Sequence, residues 1–357
     1  MSINTANYFK ELECYNYVDV ENRVLPLSKA LKDVISSEEY KQYTGLLPKR
    51  GYKTPLQVQI ELTNRCNLQC EFCYNFSGLS NRKELLFDDL LHVVQELIDM
   101  DVLVVIITGG EPFIDQERLF TVLDLLSRNN VSIYLLTNGW YITEQVVHRL
   151  MEYAIFSVQI SIDGGSDIYH DKARGVKGSW KRAIEAVRLF TEHGFYTKVA
   201  CIMTKENWVT LDDFIDLCFY LGAQEIDFTD IISYGRATTN FDSLKLDNDL
   251  YEECLGIIER KREQYKNLML ISMGVNTAFV LWSYILVQPN ACQVCGDGTV
   301  IPHCLLPINM GNIKKEPLAK IWETQFSTRL IENKKIQNFV NKLDFMVTNR
   351  FNILRSL

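Results

Sequence analysis

Between residues 56 and 231 the apolar positions change period repeatedly. LQVQIEL (56–62) alternates apolar with polar residues, as a strand does when one of its faces is buried. KELLFDDLLHVVQELIDM (83–100) repeats its apolar residues every three or four positions, the spacing of one helix face. Further strands are predicted at VLVVIIT (102–108), VSIYLLT (131–137), FSVQISI (156–162), YTKVACIMT (196–204) and EIDFTDI (225–231). Helices are predicted at 115–129, 142–152, 179–194 and 211–222, with Gly194 ending the helix at 179–194. Strand and helix in turn imply parallel strands covered by helices. About six such units make an open or partial α/β barrel, smaller than the eight-unit form, with its chemistry at the C-terminal strand ends.

Each unusual stretch then falls on that face. Cys66, Cys70 and Cys73, in RCNLQCEFCYN (65–75), follow the first strand. TGGEP (108–112) follows the second, TNG (137–139) the third and SIDGG (161–165) the fourth, and Met203 closes the fifth. The C-x3-C-x2-C spacing places three thiols on one loop. Iron–sulfur clusters are held by cysteine thiolates, and three ligands leave one iron of a 4Fe–4S cube open. The alternatives are a zinc loop, which asks for a fourth protein ligand not found adjacent, or three buried cysteines acting as small hydrophobes. Gly109 and Gly110 let the backbone approach a ligand closely. Arg174 suits two-pronged carboxylate recognition or a surface salt bridge. Asn138 and Asp163 are polar neighbours of the site or turn formers.

Composition narrows the setting. The chain has 357 residues, 47% apolar and 23% charged, enough for a sizeable core. A net charge of -8 argues against a general nucleic-acid or anionic-membrane binder. No apolar run has the length of a membrane span, and the N-terminus lacks the pattern of a secretory signal. The ten cysteines are therefore expected in a reducing, cytoplasmic compartment, where grouped thiols point to metal or redox chemistry.

The run ELTNRCNLQCEFCYN, with TGGEP, LLTNG, QISIDG and HDKARG in order, closely resembles the radical S-adenosylmethionine (SAM) enzymes over about residues 54–237. The resemblance implies a partial (β/α)6 barrel and a 4Fe–4S cluster on Cys66, Cys70 and Cys73, whose open iron is chelated by SAM. It also implies an electron donor such as flavodoxin or ferredoxin. Reductive cleavage of SAM then gives methionine and a 5′-deoxyadenosyl radical that abstracts hydrogen. By the same resemblance Gly109, Gly110, Glu111 and Pro112 receive the methionine amino group, with Glu111 as a charged acceptor. Phe72 contacts adenine, Ser161 the ribose and Arg174 the carboxylate, with Asn138 and Asp163 nearby. Met203 packs on adenine or fills core. Cys201 returns a hydrogen atom to a substrate radical, as in peptide epimerases, or packs the barrel. Arg236, in YGRA (234–237), touches substrate or shapes a turn.

A second group, Cys292, Cys295 and Cys304, has the spacing C-x2-C-x8-C within ACQVCGDGTVIPHCLLPINMGNIKKEPLAKIWE (291–323). GDG reads as a turn between two short strands and PLAKIWE as a helix. This text resembles the SPASM or twitch extension of radical SAM enzymes that modify peptides. The resemblance implies one auxiliary iron–sulfur cluster on these cysteines. The short first gap and the absence of cysteine after Cys304 depart from the pattern and exclude two auxiliary clusters. A zinc site aided by His303 or Asp297, or an empty remnant, are the alternatives.

The chain thus divides into an N-terminal cap or partial peptide-binding segment (1–53), the radical SAM core (54–237), linking helices and strand (238–290), the auxiliary-cluster region (291–325) and C-terminal helices (326–357). Cys218 and Cys254 are expected in the core, and Cys14 lies in an unclassified leader. His92, His148 and His193 show no partner pattern, and His170 and Asp171 shape the loop before Arg174. The expected function is maturation of a ribosomally made precursor peptide by crosslinking or epimerisation. The alternatives are a small-molecule substrate (a tetrapyrrole, sugar or cofactor precursor) or a non-catalytic metal-binding scaffold.

Overall fold

Val58 and Ile60 leave the first strand on one side, Gln59 and Glu61 on the other, and this parity organises the sheet. The computed structural model describes residues 52–78, 83–231, 235–273, 289–304, 306–327, 330 and 333–336. Cys14, Tyr234, nearly all of the proposed 1–53 segment and most of 326–357 lie outside these residues. Seven strands run parallel in sequence order: β1 Gln57–Glu61, β2 Val104–Thr108, β3 Ser132–Thr137, β4 Ile155–Ser161, β5 Thr197–Met203, β6 Glu225–Asp230 and β7 Leu270–Met273. The connecting helices are α1 Phe87–Asp99, α2 Gln116–Arg128, α3 Glu144–Leu150, α4 Asp167–Arg174, α5 Ser179–Glu192, α6 Leu211–Tyr220, α7 Ala237–Leu244 and α8 Asn248–Gln264.

One face of the sheet is apolar and sealed by helices. Val58, Ile60, Ile107, Leu135, Ile160, Val199 and Phe228 on that face are all inaccessible to solvent. The other face is polar. Tyr134 donates to Gln159 Oε1 at 2.5 Å, Lys198 pairs with Glu225 at 2.9 Å and Asp227 at 3.4 Å, and Ser272 donates to Asp227 at 2.7 Å. Mutual pairing offsets the desolvation of these groups.

The C-terminal region joins the same sheet. β8 (Ala291–Val294) adds to the free edge of β1 in parallel, and β9 (Thr299–Ile301) and β10 (Gly311–Asn312) follow antiparallel. α9 (Leu318–Gln325) comes next. Glu61 ties the edge together: its Oε1 accepts from Gln293 at 2.7 Å and its Oε2 from Gly296 N at 2.9 Å.

Two elements depart from the sequence expectation. Residues 83–86 are not helical. Leu85 N donates to Gly296 O at 2.7 Å, and Glu84 accepts from Thr63 Oγ1 and Asn64 N, which draws this segment onto β1 and β8. HDKAR, read as loop, is the end of α4. His170 and Arg174 stand four apart on one buried face. Gly175, at φ 71°, terminates that helix in the left-handed conformation.

Candidate active site at the C-terminal strand ends

The loop after β1 is held by backbone on three sides. Gly110 N donates to Thr63 O at 2.7 Å and Glu111 N to Arg65 O at 2.9 Å, joining the TGGEP turn to the loop's start. A Cβ on Gly110 would lie 2.1 Å from Arg65 O, and one on Gly109 2.5 Å from Thr63 O. The glycines are therefore needed for the approach of protein backbone, a contact the sequence reading assigned to a ligand. Among the described residues the Gly109 and Gly110 carbonyls accept no hydrogen bond, so they remain acceptors on this turn. From a second side, Gln69 N and Glu71 N donate to the Arg174 and Ala173 carbonyls at the end of α4.

Arg236 closes the third side. Its Nε donates to Cys70 O and its Nη1 to Ser77 O, both at 2.7 Å, while its backbone N donates to Cys73 O at 2.9 Å. Substrate contact was the sequence-based alternative for Arg236, but the side chain is engaged in clamping the cysteine loop. Arg236→Ala removes two charge-assisted bonds, each worth about 1.5–3 kcal/mol. We expect loosened cysteines and lower iron incorporation per folded chain, checked by iron analysis beside circular dichroism. Unchanged iron content would reject the clamp.

Within the loop Cys66, Cys70, Leu68 and Phe72 are buried with Ala173, and Cys73 is half-buried against them. Burial, then the Glu111 carboxylate, pushes the Cys66 thiol up to about 12; Cys70 and Cys73 add to this. Burial likewise raises Cys70, against the opposing charge of Arg174. Two donors already face Cys66 Sγ: Leu68 N at 3.4 Å and Asn138 Nδ2 at 3.8 Å.

Glu111 is fully buried and braces the next loop. Its carboxylate accepts from Thr137 Oγ1 at 2.8 Å, Asn138 N at 2.7 Å and Phe113 N at 3.2 Å. Burial raises its pKa to about 7, with these donors opposing. The role expected for Glu111, a charged acceptor for a ligand, is replaced by a positioning one. Pro112 starts a short 3-10 turn behind it. Asn138 continues the brace, donating to Asn67 Oδ1 at 3.0 Å and accepting from Trp140 N.

Arg174 and Asp163 form a buried pair, with Nε 2.6 Å from Oδ2, so Arg174 is not the surface salt bridge that was its alternative. Asp163 Oδ1 accepts from Ile202 N at 3.0 Å, fixing the pair to β5. Among the described residues the Arg174 Nη atoms make no hydrogen bond, and the guanidinium carbon lies 5.4 Å from the Phe72 ring centroid. His170 accepts from Asp163 N through Nδ1 at 3.0 Å, and burial lowers its pKa to about 4. It is therefore neutral, and among the described residues its buried Nε2 has no hydrogen-bond partner. Asp171 sits within α4 and not in a loop before Arg174; it holds the start of α5, accepting from Gly178 N, Ser179 Oγ and Trp180 N. Ser161 ends β4 half-buried on the polar face.

Cys201 is a correction. It shares its side of β5 with Val199 and is wholly inaccessible. Strand alternation turns it toward the helices, which favours barrel packing over the hydrogen-donor role. Met203 has the same parity and is also buried, which favours core filling over an adenine contact.

The second cysteine group divides. Cys292 pairs in register with Val58 on the helix-covered side, and burial alone pushes it up to about 12. Cys295 stands three positions on, in the turn just beyond the end of β8, where its N donates to Thr299 O at 2.8 Å. Cys295 and Cys304 instead neighbour Tyr74, whose pKa is raised first by burial, then by Cys304, Glu61, Cys73 and Cys295. Tyr74 thus lies near both cysteine groups. His303 Nδ1 is 3.7 Å from Cys304 Sγ, and burial lowers its pKa to about 4. Asp297 accepts from Thr299 N and forms the GDG turn. Cys292→Ala should leave auxiliary iron unchanged, whereas Cys304→Ala should remove it. Equal loss in both variants would place Cys292 among the ligands.

The chain matches the radical SAM superfamily over residues 60–218 and the SPASM iron–sulfur cluster-binding domain over 287–341. The chain belongs to the radical SAM superfamily. This radical SAM protein is 30% identical to the sporulation killing factor maturation protein SkfB of Bacillus subtilis, over 75% of its own length and 64% of SkfB. It is 32% identical to the mycofactocin maturase MftC of Mycolicibacterium smegmatis, over 76% of its length and 66% of MftC. The chain therefore spans just under two thirds of the length of these relatives. The structure of Streptococcus suis SuiB bound to S-adenosylmethionine shares its fold, with TM-score 0.64 and 18% identity, covering 92% of this chain and 76% of SuiB. No helix among the described residues is long and apolar enough to cross a membrane.

Radical SAM domains bind a 4Fe–4S cluster and SAM, and SPASM domains bind auxiliary iron–sulfur clusters. The first loop fits such a cluster. The Cys66 and Cys70 thiols are buried, with Cys73 half-buried against them; burial disfavours the ionised forms of Cys66 and Cys70, and a cationic metal centre offsets that effect. A single ion fits less well. Two sulfurs on one zinc are at most about 4.6 Å apart. Among the described residues, the only three His, Cys, Asp or Glu ligand atoms within 4.8 Å of one another lie elsewhere. At the second site Cys295 and Cys304 both act on Tyr74, while Cys292 lies on the helix-covered side of β8, which disfavours it as a ligand.

Proposed function

We propose that this protein is a cytoplasmic enzyme that matures a ribosomally synthesised precursor peptide by crosslinking or epimerising it. The observation that carries the chemistry is the three-thiol loop beside Arg174, whose terminal nitrogens make no hydrogen bond among the described residues. Cys66, Cys70 and Cys73 would hold the cluster, and the bound cluster and SAM would supply a carbon radical able to abstract hydrogen. The Gly109 and Gly110 carbonyls would accept from the SAM ammonium group. Arg174 would donate to its carboxylate while Asp163 holds the guanidinium in place, and Phe72 would contact the adenine. Ser161, half-buried on the polar face, would serve the ribose. The peptide reading is supported by the names of SkfB and MftC, which are maturases. Flavodoxin or ferredoxin would supply the electron.

Arg174→Lys keeps the charge and loses the planar fork. SAM affinity should fall by about 1–3 kcal/mol for the lost charge-assisted contact, and titration with SAM measures this. An unchanged affinity would reassign Arg174 to structure. The substrate class is tested by co-expressing a candidate precursor peptide, reading its mass and, after hydrolysis, the chirality of its residues. A loss of two hydrogens marks a crosslink, and altered residue chirality marks epimerisation. An unmodified peptide, with turnover of a tetrapyrrole or sugar instead, would overturn the peptide reading.

A further inference from the structure

Two of the chain's five histidines, His148 and His193, meet beside Glu144 on the helical layer. Glu144 and His148 are four apart on α3 and share a face. His193 directly follows the last residue of α5. His193 Nε2 lies 3.0 Å from Glu144 Oε1, and His148 Nε2 lies 3.6 Å from the same oxygen. The two imidazoles meet edge to face with centroids 4.9 Å apart. The three ligand atoms fall within 4.8 Å of one another. Nitrogen and oxygen ligands of one zinc ion, at about 2.0–2.2 Å each, span up to roughly 4.4 Å, so small side-chain rotations close the set.

A second observation concerns the far side of one ring. His193 Nδ1 is 2.8 Å from Leu189 O, a carbonyl, so Nδ1 is the donor there and Nε2 is the nitrogen turned to Glu144 and His148. Metal-binding histidines are oriented by this kind of outer hydrogen bond. The frame beneath is also rigid. Gly139, in the loop leading to α3, packs so tightly on α5 that a Cβ would lie 2.9 Å from Ala183 Cα.

We propose that Glu144, His148 and His193 bind a divalent transition-metal cation of the zinc class, stapling α3 to α5. Imidazole nitrogen with one carboxylate suits zinc, nickel and copper, and three protein ligands leave a fourth position for water. This set shares no residue with either cysteine group.

The test is zinc titration into the cluster-loaded protein, with thiols occupied, followed by calorimetry and metal analysis. The unaltered chain should bind one zinc that His148→Ala and His193→Ala each bind at least tenfold more weakly, with iron content the same in all three. Zinc should raise the thermal midpoint of the unaltered chain and of neither variant. His148 is exposed on its helix, so His148→Ala is decisive should His193→Ala fail to fold. Equal zinc affinity and equal thermal response in the unaltered chain and His148→Ala would overturn the proposal, leaving Glu144 as a hydrogen-bond acceptor for two imidazoles.

Discussion

Replacing Cys66, Cys70 and Cys73 together with alanine should abolish 5′-deoxyadenosine formation from SAM under reducing conditions, while the chain stays folded. The loop's path does not depend on its sulfurs. It is set by backbone bonds to the TGGEP turn, by the end of α4 and by Arg236. Removing three sulfurs leaves small voids in an apolar cluster that keeps Leu68, Phe72 and Ala173. What is lost is every thiolate on the loop, and a cluster has no other holder there. Product assay by chromatography, with circular dichroism as the folding control, reads both parts. Undiminished 5′-deoxyadenosine would contradict the assignment.

Gly110→Ala should damage the site severely. The new Cβ would sit 2.1 Å from Arg65 O, 2.6 Å from Arg65 C and 2.9 Å from Asn64 O. All three are backbone atoms, so no rotamer change relieves the clash. The turn and the loop must separate, breaking the Gly110 N to Thr63 O and Glu111 N to Arg65 O bonds. Overpacking of this kind costs about 1–3 kcal/mol or more. A fall of several degrees in thermal midpoint is expected, with loss of SAM binding. An unchanged midpoint and SAM affinity would show that the turn tolerates separation.

Most of the barrel was legible because its signals are local. A strand buried on one face alternates, a covering helix repeats near 3.6, and short crossovers keep β1 to β6 in sequence order. The ligand-bearing loops followed from that order. What escaped the sequence depends on distant partners. The start of α1 is set by Gly296, about two hundred residues away. α4 is only eight residues long, and its signal was the His170–Arg174 spacing with Gly175 behind it. The division of Cys292 from Cys295 needed the knowledge that β8 lies on β1 in register with Val58. Once Ala291–Val294 is taken as a strand, C-x2-C across its end separates the thiols. Glu111 and Arg236 looked like ligand or substrate contacts because charge is visible in sequence, whereas the loops they hold are not. His148 and His193 lacked any pattern because forty-four intervening residues bring one to the other.

The central claim is that three thiols hold a cluster with one iron left for SAM. Electron paramagnetic resonance of the anaerobically reconstituted, reduced protein tests it most directly, with and without SAM, in the unaltered chain and in the Cys304→Ala background, which removes the auxiliary iron. The account predicts a reduced 4Fe–4S signal that shifts on SAM addition in both proteins and is absent when Cys66, Cys70 and Cys73 are alanine. A signal that SAM leaves unchanged, or one that survives without those three cysteines as the sole cluster, would contradict it.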